Sequence, residues 1–188
     1  MALIAQCSLQ SVSPLSMSRY YQTPKEPKES PDDYEKRTWK ERLHYDERGN
    51  VFIPNMAIKW CLTDGAKFIG MKIPGKGRAT FAKHFEAGLL VLEGIKLGIH
   101  MSDVQGETFF VPADGKHGSG SRVLKTFPVI PTWKGKVDVH ILDRTITREV
   151  FDEHLKEAGR FIGLGRFRPQ RGGFYGRFSV ASIKFSED

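Results

Sequence analysis

The segment at residues 160–178 combines the side-chain types that bind nucleic acid. It contains five arginines and five glycines, interleaved with aromatic residues and without any acidic residue. Arginine makes bidentate contacts with phosphate, Phe and Tyr rings stack on unpaired bases, and the N–H groups of a glycine-rich backbone can receive phosphate oxygens. The candidate binding residues are Arg166, Arg168, Arg171, Phe174, Tyr175 and Arg177. The competing interpretation is a turn whose aromatic rings fill the core and whose arginines face solvent.

A second basic segment runs from a predicted helix into the loop that follows it. Its candidate binding residues are Lys59, Lys67, Lys72, Lys76 and Arg78, and Asp64 is the one acid among them. Residues 70–77 match the first half of a phosphate-binding P-loop. They lack its Ser or Thr and follow a helix rather than a strand, which argues against an NTPase. A track for nucleic acid and a solvated charge cluster are the two interpretations that remain.

The residues that could perform catalysis form no recognisable motif. The histidines share no motif spacing, and His154 lies on the apolar stripe of a predicted helix, which favours a core position. His117, in a glycine-rich stretch, is a candidate for acid–base work on RNA. Asp32 and Asp33 are either metal ligands or plain surface acids. We assign no catalytic residue, metal site or cofactor from the sequence.

The composition predicts one globular domain over residues 1–188. Hydrophobic residues make up 39% and charged residues 27% of the chain, close to globular averages. The net charge of +7 suits a polyanionic partner. Cys7 and Cys61 lack zinc-ligand spacing and favour a reducing compartment. Without a signal-peptide pattern or an apolar run near the roughly 20 residues of a membrane span, we expect a cytoplasmic protein with no membrane partner.

The hydrophobic pattern predicts an α+β skeleton that positions these residues. Helices with apolar stripes are predicted at 55–69, where Asn55 would be the N-cap, and at 147–158, where Thr147 would be. Strands are predicted at 2–15, 51–53, 88–92, 108–111, 123–130, 136–142 and 177–185, with a turn joining the fifth to the sixth. A solvated excursion over 23–50, with a short helix at 34–43, and a glycine-rich loop over 163–176 complete the chain. This order favours a ferredoxin-like βαββαβ core with insertions.

Three passages resemble the RAMP superfamily, the proteins that coat guide RNA in CRISPR effector complexes. They are the end of the first strand at residues 11–15 (SVSPL), the entry to the first long helix at 51–59 (VFIPNMAIK), and the glycine-rich loop with the start of the last strand at 163–177. They occur in the family's order. The chain departs from the family at residues 55–57, where Asn-Met-Ala replaces a Gly-Ser-Ser run.

The resemblance implies a modified RNA-recognition-type fold. It also implies single-stranded RNA binding along a basic face by copies of the protein, or by other effector subunits, assembled side by side. Lys59 matches the family's helix lysine, residues 163–177 match its RNA-facing loop, and the excursion over 23–50 occupies the place of a thumb-like hairpin. Two alternatives stay open. One is a phage-encoded relative that inhibits or imitates an effector or binds single-stranded DNA, and the other is a metal-independent endoribonuclease.

Overall fold

The computed structural model describes residues 3–113, 118 and 120–187, which form nine strands and four α-helices. The strands are β1 (Leu3–Ser11), β2 (Leu15–Ser16), β3 (Asn50–Ile53), β4 (Leu89–Leu90), β5 (Ile95–His100), β6 (Gln105–Pro112), β7 (Arg122–Ile130), β8 (Lys134–Ile141) and β9 (Phe178–Glu187). The helices are α1 (Pro31–Thr38), α2 (Asn55–Ile69), α3 (Ala82–Gly88) and α4 (Arg148–Glu157). All strand pairings are antiparallel, so the predicted α+β class is confirmed.

The main sheet has four strands in the order β4-β8-β1-β9. Ala5, Cys7 and Leu9 of β1 point to one face and are buried, as the period-2 pattern predicted. The long helices α2 and α4 pack against each other beside this sheet, and α4 also contacts β9. The hydrophobic core therefore lies between the main sheet and these two helices.

Both long helices begin and end where local chemistry places them. The Thr147 side chain accepts a hydrogen bond from the N–H of Val150 and caps α4, as predicted. At the C-terminal end of α2, Gly70 adopts the left-handed conformation that ends a helix without steric cost. Asn55 is not the N-cap of α2; Pro54 is, and the Asn55 amide instead donates to the carbonyl oxygens of Val91 and Leu92.

A second sheet carries the hairpin formed by β6 and β7, with the short strand β2 on its other side. The sequence predicted that the strands at 123–130 and 136–142 are joined through a turn and did not indicate their partners. In the structure β7 pairs with β6 while β8 pairs with β1, so the turn between them crosses from one sheet to the other. Residues 23–50 form α1 and a short 3-10 helix (Trp39–Arg42) that pack against β7, rather than a hairpin.

None of the helices within the described ranges combines the length and the apolar composition that crossing a bilayer requires. In the same residues, no three His, Cys, Asp or Glu side chains converge as ligands for a metal ion. His117, the candidate for acid–base work, lies outside the described residues.

Candidate nucleic-acid interface

The glycine-rich loop between α4 and β9 is folded back on itself and on the end of β1. Leu164 N–H donates to Gly176 O at 2.9 Å, Gly176 N–H to Pro14 O at 2.7 Å, and Arg166 N–H to Ser16 O at 2.7 Å. Gly176 has a positive φ of 80°, and a Cβ added there would collide with Leu164 O. Glycine is therefore required here so that two stretches of backbone can meet.

These hydrogen bonds change the expected role of the glycines. The N–H groups of Gly163, Gly172, Gly173 and Gly176 all donate to backbone carbonyls of the loop or its neighbours. They are not free to receive phosphate oxygens, as the sequence had suggested. The glycines instead allow a compact loop that holds arginine side chains in fixed positions.

The Arg166 side chain packs against two aromatic rings. Its guanidinium carbon lies 3.2 Å from the ring centroid of Phe127 on β7 and 3.9 Å from that of Phe167. Its Nη1 atom is buried without a hydrogen-bond partner, and it forms no ion pair within the described part of the chain. Burial, with the nearby Arg42 charge, lowers the pKa of Arg166 to about 10. At neutral pH it is a half-buried cation that lacks an anion.

Arg42 shows what a compensated arginine looks like in the same place. Its guanidinium carbon lies 4.9 Å from the same Phe127 centroid. Both of its terminal nitrogens donate to the Glu35 carboxylate, at 2.9 and 3.0 Å, and Nη1 also donates to Thr126 O. Because Glu35 is engaged by Arg42, it does not neutralise Arg166.

A cavity of about 340 Å³ opens beside Arg166, between the loop and α2. We call it the loop groove; the lining residues with polar or aromatic side chains are Ser18, His44, Trp60, Arg166 and Arg168. The Trp60 side chain is 58% exposed on the outer face of α2, where an indole is available for stacking. Burial, followed by the charge of Arg19, lowers the pKa of His44, so at neutral pH this ring is uncharged and also suited to stacking.

Of the other predicted loop residues, only Arg168 lines this groove. Arg168 lies 3.5 Å from the Asp64 carboxylate. The Tyr175 hydroxyl donates to Glu107 at 2.7 Å, and burial together with this bond raises its pKa to about 12. Arg177 donates to the carbonyls of Arg160 and Phe174, whereas Arg171 and Phe174 are exposed. Arg166 rests on a cluster of aromatic rings that pack against one another: Phe109, Phe127, Phe167 and Tyr175.

The second basic segment is arranged differently. Lys59 donates to the carbonyl oxygens of Phe85 and Glu86, both at 2.8 Å, and so caps the C-terminal end of α3. Lys67 lies 3.7 Å from the Glu86 carboxylate. Lys72, Lys76 and Arg78 are exposed on the loop between α2 and α3. Lys59 therefore has a structural role, and a nucleic-acid contact from any of these residues stays a prediction.

Sequence reasoning missed Trp60, Phe127, Arg42 and Glu35. The signal for Trp60 was present, because the apolar stripe of Ile58, Cys61, Leu62 and Ala66 leaves Trp60 on the solvent face of α2.

Asp33 accepts a hydrogen bond from Ser30 at the start of α1 and is exposed, like Asp32, in agreement with surface acids. His154 is fully buried, as predicted.

Neither a protein-family model nor a curated protein matches this sequence. Among solved structures, the chain is similar to one in the cryo-EM structure of the Type III-B Cmr-beta bound to cognate target RNA. The TM-score is 0.55 and the identity 11%, over 98% of this chain and 60% of that chain. It is also similar to Cmr6 from Pyrococcus furiosus, with a TM-score of 0.49 and 15% identity, over 96% of this chain and 98% of that one.

At such identities the likeness concerns the fold, and this chain spans 60% of the length of the Cmr-beta chain. Two of the three passages that carry the sequence resemblance, the glycine-rich loop after the second long helix and the SVSPL end of β1, lie in direct contact. The chain therefore shares its overall fold with the matched chain of the Cmr-beta structure.

Proposed function

We propose that this protein binds single-stranded nucleic acid, most simply a guide RNA, in the loop groove, as a RAMP-type subunit of a CRISPR-like ribonucleoprotein. The observation that carries the proposal is Arg166, a half-buried guanidinium that lines the groove and forms no ion pair with any residue that the structure describes. A phosphate of the strand would supply the missing anion. Trp60 and His44, on the same groove, would stack on bases.

The proposal includes the architecture that such subunits have. The strand order β9-β1-β8-β4, with α2 and α4 as the connecting helices, supports a ferredoxin-like core within one domain over residues 1–188. Assembly with further copies or with other effector subunits along the strand belongs to the same proposal. The Cmr-beta structure, described as bound to cognate target RNA, supports RNA over DNA as the partner.

The test is the affinity of a fluorescent oligoribonucleotide for the wild-type protein and for Arg166→Met. A charge-assisted contact contributes about 1.5–3 kcal/mol, so the variant should bind at least about tenfold more weakly. Arg48→Met, which removes an exposed arginine from the turn before β3, is the matched control and should bind like the wild type. Methionine keeps most of the apolar contact with Phe127, so the unfolding midpoint should not fall.

Unchanged affinity in folded Arg166→Met protein would contradict the proposal. An independent readout is the tryptophan fluorescence of the protein. A base that stacks on Trp60 should quench it, and Trp60→Phe should abolish that part of the quenching. The same oligomer as DNA distinguishes the two strands: equal affinity would leave single-stranded DNA as an equal partner.

A further inference from the structure

A second cavity, of about 700 Å³, shares no lining residue with the loop groove. It lies between the β6–β7 hairpin and the segment that leads into α1. We call it the hairpin groove and define it by Tyr21, Lys25, Tyr34, Phe110, Arg122 and Leu124. We propose that the hairpin groove is a second binding site for unpaired bases and phosphates of a single nucleic-acid strand.

Exposed rings and apolar side chains give the hairpin groove its base-binding character. Phe110 and Leu124 are cross-strand partners on β6 and β7, so their side chains share one face of the hairpin, and they are 60% and 58% exposed. Tyr34 faces them from α1. Adjacent exposed apolar side chains beside a cavity are a feature of binding sites. Flat aromatic rings are what bases stack on.

The charge of the hairpin groove favours a nucleic-acid strand over a protein. Lys25, Arg122 and Lys125 line it, and none of them forms an ion pair with a described residue. Lys25 and Arg122 lie over the Tyr34 and Phe110 rings, at 5.7 and 5.9 Å from the centroids. Of the acids in the lining, Glu35 is bound to Arg42, which leaves Asp32. Phosphates would find an excess of cations beside rings that bind bases.

The two grooves meet at one side-chain stack, which suggests that one strand occupies both. Arg42 lines the hairpin groove and Arg166 lines the loop groove, and both guanidinium groups lie against the Phe127 ring. This step rests on the proposed function, since the loop groove must hold the first part of the strand. A strand too short to leave the loop groove would not reach the second site.

The experiment compares oligouridylates of about 5 and about 15 nucleotides, the range of site sizes for single-strand binding domains. The affinity ratio between the long and the short strand is measured for the wild type and for Phe110→Ala/Arg122→Gln. One lost stacking contact and one lost phosphate contact should lower this ratio by more than about tenfold and leave short-strand affinity unchanged. Leu92→Ala/Lys96→Gln removes an equally exposed apolar side chain and a cation elsewhere, and should leave the ratio unchanged.

The two proposals fail in different ways. A wild-type ratio in folded Phe110→Ala/Arg122→Gln protein, or an equal loss for both strands, would overturn the second site while short-strand binding upheld the loop groove. If the wild type binds neither strand, the proposed function fails and the second site with it. Capture of a protein on the hairpin groove without any strand-length effect would assign that surface to a protein partner and overturn the inference.

Discussion

The two basic segments of this chain look alike in sequence and differ in what holds their cations. In the glycine-rich loop, Arg166 is fixed between Phe127 and Phe167, and Arg168 and Arg177 are half-buried with hydrogen-bond partners. In the second segment, Lys72, Lys76 and Arg78 are exposed on the loop between α2 and α3. Lys59, on α2, donates its hydrogen bonds to the C-terminal end of α3. Positioned cations lose little side-chain entropy when they bind, whereas exposed lysines must be ordered first. Charge density in a sequence therefore predicts attraction, and packing decides which charges form a site.

The largest expected difference between the two segments is in the stability lost when one glycine in each is replaced by alanine. Gly176 in the loop and Gly75 in the second segment have nearly the same φ, 80° and 75°, so alanine costs the same backbone strain of about 1–2 kcal/mol at both. An added Cβ at Gly176 also collides with Leu164 O, whereas nothing lies within 4 Å at Gly75. Gly176→Ala should lower the free energy of unfolding by about 3 kcal/mol or more.

Chemical denaturation measures both values, and the Gly75→Ala variant is the control for strain alone. Strand binding should follow the same order, because only Gly176→Ala displaces Arg166. Equal losses of stability in the two variants would show that the loop is no more tightly packed than the second segment.

The anchoring of the second segment should depend on pH, through His154. The centroid of this buried ring lies 4.4 Å from that of Phe85 in α3, and the ring also contacts Phe81, the N-cap of α3. These contacts hold α3, which follows the loop that carries the exposed cations. Burial lowers the pKa of His154 below its ordinary value of 6.5. Its contribution to stability is therefore complete above about pH 6.5 and falls as the pH drops toward the lowered folded-state pKa, because the unfolded chain binds the proton more readily.

Thermal unfolding midpoints between pH 7.5 and pH 5 measure this effect. His154→Gln should have a lower midpoint at pH 7.5 and a flatter dependence on pH over this window. His140→Gln, on the outer face of β8, is the control and should keep the wild-type slope. The same slope in His154→Gln as in the wild type would exclude His154 as the titrating group.

The smallest expected effect is that of removing the exposed cations together. Lys72→Gln/Lys76→Gln/Arg78→Gln should weaken strand binding by less than Arg166→Met alone. Each phosphate contact on a single strand contributes about 0.7 to the slope of log K against log salt, so the slope should fall by about 2 at most. A larger loss of affinity than in Arg166→Met would reverse the comparison and make the second segment the main site.

The sequence predicted what depends on neighbours along the chain and missed what depends on distant partners. The helices α2 and α4, the Thr147 cap and the Gly70 stop follow from local spacing and capping chemistry. The partners of β7 and β8 do not, because a turn at residues 131–135 is compatible with a hairpin or with a crossing between sheets. Arg166 was a candidate by residue type. Its burial against Phe127 and the diversion of Glu35 to Arg42 required the fold.

The position of β1 in the main sheet has a consequence for how the protein is made. Leu3 pairs with Ile141 of β8 on one side and with Glu187 of β9 on the other, so β1 has no neighbour in the sheet until β8, more than 120 residues later, has been made. Contacts so distant in sequence slow folding. During synthesis β1 remains an unpaired apolar edge, exposed to aggregation and to chaperones. Because the glycine-rich loop closes on the end of β1, the proposed binding site can form only after residues 163–176 have been made.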